Sequence, residues 1–188
     1  DSITKTMITK ACQLFEHENY EFSLNFSIVD ILDLHMQEYL FEHAKKHNVA
    51  HRMIIEMLES RDLEEDALVR EFIQKAKEQG IRIAIDDFGT GYASLTYLKR
   101  FPIDVLKIDK SFLQNVTRDK QSAAIARTII DVGHNLELEV IAEGIEDQET
   151  LDYVTKERCS MAQGYFLHKP MNSDEFNKLV FEQATKSK

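Results

Sequence analysis

The chain has 188 residues, of which 33 are acidic and 23 basic, and its formal net charge is −10. Apolar residues make up 43%, so disorder as the default state is excluded, because it needs low hydrophobicity together with high charge. The acidic balance also argues against a general nucleic-acid binder, which presents a basic face to phosphates, and gives no support for DNA or a membrane surface as a partner.

In chain order, residues 2–17 read as a helix with Ile3, Met7, Ile8, Ala11, Leu14 and Phe15 on one face. A strand follows at 21–27 (EFSLNFS), then a helix at 29–47 and a strand at 52–57 (RMIIEM). The helix at 62–79 turns Leu63, Ala67, Phe72, Ile73 and Ala76 inward and ends at Gly80, a C-cap residue. Next come a strand at 82–87 (RIAIDD), a short helix at 94–99 and a strand at 105–109 (VLKID). A helix at 120–135, a strand at 139–145 (EVIAEGI), a helix at 148–157 and a strand at 161–166 (MAQGYF) complete the alternation. The last helix starts near Asn172, with Glu175 placed for a capping box.

Cys12 and Cys159 do not make a disulfide framework and read as reduced core thiols of a cytoplasmic protein. The start, Asp1-Ser2-Ile3-Thr4, has no basic or apolar region of a signal peptide, and no apolar run approaches the ~20 residues that span a bilayer. The first residue is not Met, so the chain is expected to be a piece of a longer protein.

Strands alternating with helices predict a parallel α/β protein, either an open doubly wound sheet or a barrel. The polar residues favour the barrel. Asn25, Glu56, Asp86 with Asp87, Lys107, Glu143 and Gln163 each lie towards the C-terminal end of a strand, where a doubly covered strand should be nearly all Val, Ile or Leu. In a closed barrel they converge on the C-terminal rim, the end that carries the chemistry of (β/α)₈ enzymes. Oxygen ligands of this kind suit Mg²⁺ or Mn²⁺ rather than zinc. Taken singly, four of them have an ordinary explanation. Asn25 and Asp87 suit turns, Lys107 suits a structural ion pair, and Gln163 suits a bond to its own loop. Their joint placement carries the functional reading. In Asp86 to Tyr92 (DDFGTGY), adjacent carboxylates suit a two-metal site, and Phe88, Gly89, Thr90, Gly91 and Tyr92 form a candidate gating loop. An ordinary βα turn fits the Gly-x-Gly equally well.

The stretch DDFGTGYASLTYLKRFPIDVLKIDKSF (86–112) resembles the EAL-domain cyclic di-GMP phosphodiesterases. So do IAEGIE (141–146), QGY (163–165) with Lys169-Pro170, SLNFS (23–27) and IIEMLES (54–60). The resemblance implies a TIM-like (β/α) barrel whose rim holds two Mg²⁺ or Mn²⁺ ions, and metal-dependent hydrolysis of cyclic di-GMP to the linear dinucleotide pGpG. Carried over by motif, Asn25, Glu56, Asp86 and Asp87 would be metal ligands, with Asp86 bridging. Lys107 would orient or activate the attacking water. Glu143 would hold a metal-bound water or lie just outside the metal's ligands, and Gln163 would support the water network. Glu59 would anchor the gating loop. A homodimer with upstream sensory or cyclase domains is implied as well.

The departures are specific. The family's Glu-Ala-Leu motif is not in this sequence, and six of eight strands are counted, so residues 1–188 are expected to form an N-terminally truncated EAL-type domain. Leu58 stands where the family has Thr, and Ser160 where it has an acid. A catalytically silent cyclic di-GMP receptor is the alternative. A third reading is a fragment that associates through its open sheet edges.

Overall fold

The computed structural model describes residues 3–58, 67–89 and 95–186. Six parallel strands form one sheet: β1 (Phe22–Phe26), β2 (Met53–Leu58), β3 (Arg82–Phe88), β4 (Val105–Ile108), β5 (Glu139–Ala142) and β6 (Met161–Ala162). Their spatial order is their chain order, with every neighbouring pair parallel. A doubly wound sheet reverses its order at a switch point; this one never does, so it is the arc of a (β/α) barrel.

The helices are α1 (Ile3–Phe15), α2 (Ile28–Leu32), α3 (Leu34–Lys46), α4 (Ala67–Glu78), α5 (Leu95–Arg100), α6 (Lys110–Leu113), α7 (Lys120–Asn135), α8 (Gln148–Lys156) and α9 (Ser173–Lys186). The expected helix at 29–47 is two helices. Asp33 breaks it, because its carboxylate accepts from the backbone N–H groups of His35 and Met36 and so starts a new helix in mid-pattern. The expected capping box is present, with Asn172 and Glu175 exchanging bonds of 3.2 and 3.0 Å. Gly80 ends α4 at φ +85°, as a C-cap glycine does.

Strand alternation sorts the side chains into two layers. Outward-facing Leu24, Phe26, Ile55, Met57, Ile83, Ile85, Leu106, Ile108, Val140 and Ala142 meet the helices in the main core. Inside the arc a smaller cluster of Ile54, Ala84 and Val105, with Ile141 against it, fills the floor beneath the polar rim. At the N-terminal end of the arc Arg82 bonds Glu139 at 2.7 Å and Glu21 at 2.6 Å. Gly133 lets α7 lie close on the sheet, since a Cβ there would stand 2.4 Å from Val140 Cγ2.

The face expected for α1 is wrong in part. Ile8 and Cys12 are buried, while Ile3 is 84% exposed and Met7 and Leu14 are also exposed. The helix packs on α3 and β1 through one narrow side only. Both cysteines are free, as expected, though Cys159 is only half-buried. Burial pushes the Cys12 thiol up to about 11, and burial with the nearby Glu157 charge does the same for Cys159.

Gly133→Ala gains up to about 1 kcal/mol of helix propensity but forces a methyl into the stiff Val140 side chain, at about 1–3 kcal/mol. The net expected in urea unfolding is a loss of about 1–2 kcal/mol. The raised thiols hold their protons in the folded chain at pH values where the unfolded chain has lost them. Iodoacetamide should therefore alkylate native Cys159 about 100-fold more slowly than the unfolded chain at pH 8. Stability should fall, not rise, as pH climbs from about 9 to 11.

Candidate active site

The inner face of the arc carries the polar residues because of strand register. Asn25 pairs with Glu56 across β1 and β2, and Leu58 with Asp86 across β2 and β3. Two residues apart on one strand, Ala84 and Asp86 share a face, as do Val105 and Lys107. Lys107 thus stands over the apolar floor with carboxylates on both sides.

Lys107 is 3% exposed, and its ammonium is the centre of the site. Nζ lies 2.7 Å from Glu56 Oε2, 3.0 Å from Asp86 Oδ1 and 2.7 Å from Glu143 Oε1. Burial alone would lower the Lys107 pKa. The bonds to Glu143 and Glu56 and the charges of Glu56 and Asp86 outweigh it, and the net direction is up. Glu143 is raised, chiefly by burial, against the opposing pull of Lys107 and with Asp86 and Glu56 adding repulsion.

Adjacent strand residues normally point to opposite faces, yet Asp86 and Asp87 serve one site. The reason is a register shift in β3 between Ile85 and Phe88, combined with a left-handed backbone at Asp87, φ 54°. The Asp87 N–H also donates to Asp86 Oδ1 at 3.0 Å. Oxygens of Asp86, Asp87 and Glu143 come within 4.8 Å of one another. Burial, then the charges of Asp86 and Asp109, raise the Asp87 pKa. Crowded carboxylates of this kind fit a hard divalent cation, whose charge relieves the repulsion.

Glu143 lies just past β5 rather than within it, and Gln163 just past the two-residue β6. The ladder holds them nonetheless, through Glu143 N–H to Ile108 O at 3.1 Å and Gln163 N–H to Ala142 O at 2.8 Å. Both line a cavity of about 640 Å³ with Lys110, Tyr165, His168 and Phe176. Asn25 is exposed at the free edge of the sheet, beside Glu56 in register.

Phe88 is corrected: it is the last residue of β3, 6% exposed and packed in the main core, so it anchors the segment rather than gating it. Gly89 follows it in a turn. Thr90, Gly91, Tyr92 and Glu59 lie outside the described residues. Lys110 and His168 line the cavity without having been singled out from the sequence; for Lys110 the available signal was its position two residues past the end of β4.

Residues 1–170 match the EAL domain, and the chain belongs to that family. It is 33% identical over 97% of its length to the signaling protein YkoW of Bacillus subtilis, of which it covers 24%. It is 31% identical over 85% of its length to the bifunctional diguanylate cyclase/cyclic di-GMP phosphodiesterase MucR of Pseudomonas aeruginosa, of which it covers 23%. The chain therefore spans about a quarter of these relatives. The crystal structure of the EAL domain of Mycobacterium smegmatis DcpA superposes with a TM-score of 0.88 at 27% identity, over 96% of this chain and 85% of that one. The family thus includes cyclic di-GMP phosphodiesterases, and its TIM-like barrel is the fold seen here. No helix among the described residues is long and apolar enough to cross a membrane.

Removing the central ammonium leaves three carboxylates facing one another. Lys107→Met should destabilise the metal-free chain by about 3 kcal/mol in urea unfolding, and millimolar Mg²⁺ should restore part of the loss. An unchanged midpoint would show that the ammonium is not what balances the site.

Proposed function

We propose that this chain carries the rim of a metal-dependent phosphodiesterase that opens cyclic di-GMP to the linear dinucleotide. The observation that supports this most directly is the convergence of Glu56, Asp86 and Glu143 on Lys107, with Asp87 alongside, in a member of a family that includes such enzymes.

In this reading Asn25, Glu56, Asp86 and Asp87 would hold Mg²⁺ or Mn²⁺. Bound divalent cations lower the pKa of water and balance charge on the attacking and leaving oxygens of an in-line displacement. The chain's own residues position and neutralise. Asp86, beside both Asp87 and Lys107, would be shared between the metal ligands and the ammonium. Lys107 keeps its proton, because two hydrogen-bonded carboxylates hold it there, so it acts as a fixed positive charge that steers the nucleophile. Glu143, bonded to Lys107 and raised in pKa, would hold a water beside the metal ligands. Gln163 and the cavity lining receive the nucleotide. Glu59 and the 90–92 segment are assigned the roles of loop anchor and gate. The same reading takes residues 1–188 as one EAL-type domain, a homodimer as the assembly, sensory or cyclase domains as neighbours in the parent protein, and the cytoplasm as the location.

The test is linear dinucleotide formed from cyclic di-GMP with Mg²⁺ or Mn²⁺, by this chain and by a form extended at its N-terminus. Turnover that falls about 10³-fold in Asp86→Asn supports the reading. Tight binding without turnover in both forms points instead to a silent receptor.

A further inference from the structure

The cavity beyond Glu143 carries cations that the chemistry of the rim does not use. We infer that Lys110, with Lys169 on the same cavity, holds the second phosphate of a cyclic dinucleotide, the one that is not cleaved, and so selects a substrate with two phosphodiesters. The inference rests on the phosphodiesterase reading above and adds a charge partner to it.

Glu143 belongs to two places. It bonds Lys107 at 2.7 Å at the rim, and it lines the cavity of about 640 Å³. A ligand whose reacting phosphate lies at the rim therefore extends into that cavity, which is of ordinary size for a ligand pocket. Cyclic di-GMP has two phosphodiesters, each with a negative charge. The rim takes the one that reacts. The other must enter a chain of net charge −10, which repels it unless the wall it meets is positive.

Lys110 is the first residue of α6, two past the end of β4. Its stem lies along the loop that carries Glu143. Gly144 there has a left-handed backbone, φ 67°, and a Cβ on it would collide with Lys110 Cβ and crowd Lys110 Cδ. The absent side chain is what lets the stem run past. Lys169 comes from the loop after β6, where the N–H groups of Leu167 and His168 both donate to the Gly164 carbonyl at 3.1 Å. The two loops are bonded to each other, Ile145 N–H to Gln163 O and Phe166 N–H to Ile145 O, each at 3.0 Å. Both lysines thus line one cavity from a common frame.

Neither is committed elsewhere. Lys75, Lys77 and Lys107 each form a salt bridge, whereas among the described residues Lys110 and Lys169 form none. Asp109, next to Lys110 in the chain, is occupied as the cap of α6, its carboxylate accepting from the Ser111 N–H at 2.9 Å. Glu143 is answered by Lys107. Beyond it the cavity wall therefore sets two ammonium groups against one carboxylate, that of Glu146. In an acidic chain this is a local excess of positive charge, and an ammonium binds phosphate as a point charge.

The experiment compares cyclic di-GMP with bis(p-nitrophenyl) phosphate, which has a single phosphodiester, in Mn²⁺, on this chain and on its N-terminally extended form. Lys110→Met should raise KM for cyclic di-GMP about 10-fold and leave kcat within about 2-fold. On the single phosphodiester it should move kcat/KM by no more than about 2-fold, because that substrate has no second phosphate to lose. Lys110→Arg, which keeps the charge, should recover most of the affinity. Lys169→Met should raise the same KM. Where a form binds without turnover, the dissociation constant of cyclic di-GMP by calorimetry replaces KM; the phosphodiesterase reading then fails, and the Lys110 comparison still decides. KM and dissociation constant unmoved in Lys110→Met, or an equal loss on both substrates, would overturn the inference and leave Lys110 to the smaller neighbouring cavity that it lines with Gln114 and Asp147. A wild-type chain that neither binds nor cleaves in either form would overturn both.

Discussion

The rim depends on one buried ammonium. An isolated lysine at the position of Lys107 would cost several kcal/mol to desolvate and would give up its proton. Three carboxylates, from β2, β3 and the residue after β5, prevent this. The dependence is mutual. Glu56, Asp86 and Glu143 could not crowd the same interior without a cation between them. With Asp87 included, four carboxyls surround one ammonium, so negative charge is left over. Without a metal, burial first and the repulsion of the neighbouring carboxylates second raise Glu143 and Asp87 above their ordinary range. Divalent cations answer the leftover charge, and that is the electrostatic case for a metal rim.

Holding these groups together is the task of the sheet rather than of the loops. Lys107 rises from a floor of Ile54, Ala84 and Val105 that excludes water from below. The main core behind the strands fixes their twist and spacing. Only at Asp87 does the backbone depart from regular strand geometry, and there the departure is useful. A bulge with a left-handed residue turns a second carboxylate into a site that strict alternation would have denied it.

Much of this was legible in the sequence. The alternation of apolar runs with amphipathic segments marks the βα order, and the helix at Lys120–Asn135 falls where its periodicity places it. The rim residues announce themselves as charges at the ends of strands that ought to be apolar. What stayed hidden depends on contacts between distant segments. Asp33 splits a helix because one carboxylate can cap a new start, a choice that the hydrophobic pattern does not record. The outward turn of Ile3, Met7 and Leu14 depends on which neighbours α1 has, and periodicity is silent on that. The bulge in β3 leaves DDF looking like any strand end. Phe88 reads as the first residue of the DDFGTGY loop, whereas it is buried in the core at the end of β3.

The unbroken strand order has a consequence for how the molecule is made. Each strand pairs only with the strand before and the strand after it in the chain. These six strands can then be added one after another as the polypeptide leaves the ribosome, each onto the strand before it. The order of arrival also protects the interior. Glu56 and Asp86 come first, on β2 and β3; Lys107 comes next, on β4; Glu143 comes last. During synthesis the early carboxylates, Asp87 on β3 among them, receive their counter-charge from the very next strand, and Glu143 is added only after Lys107 is in place.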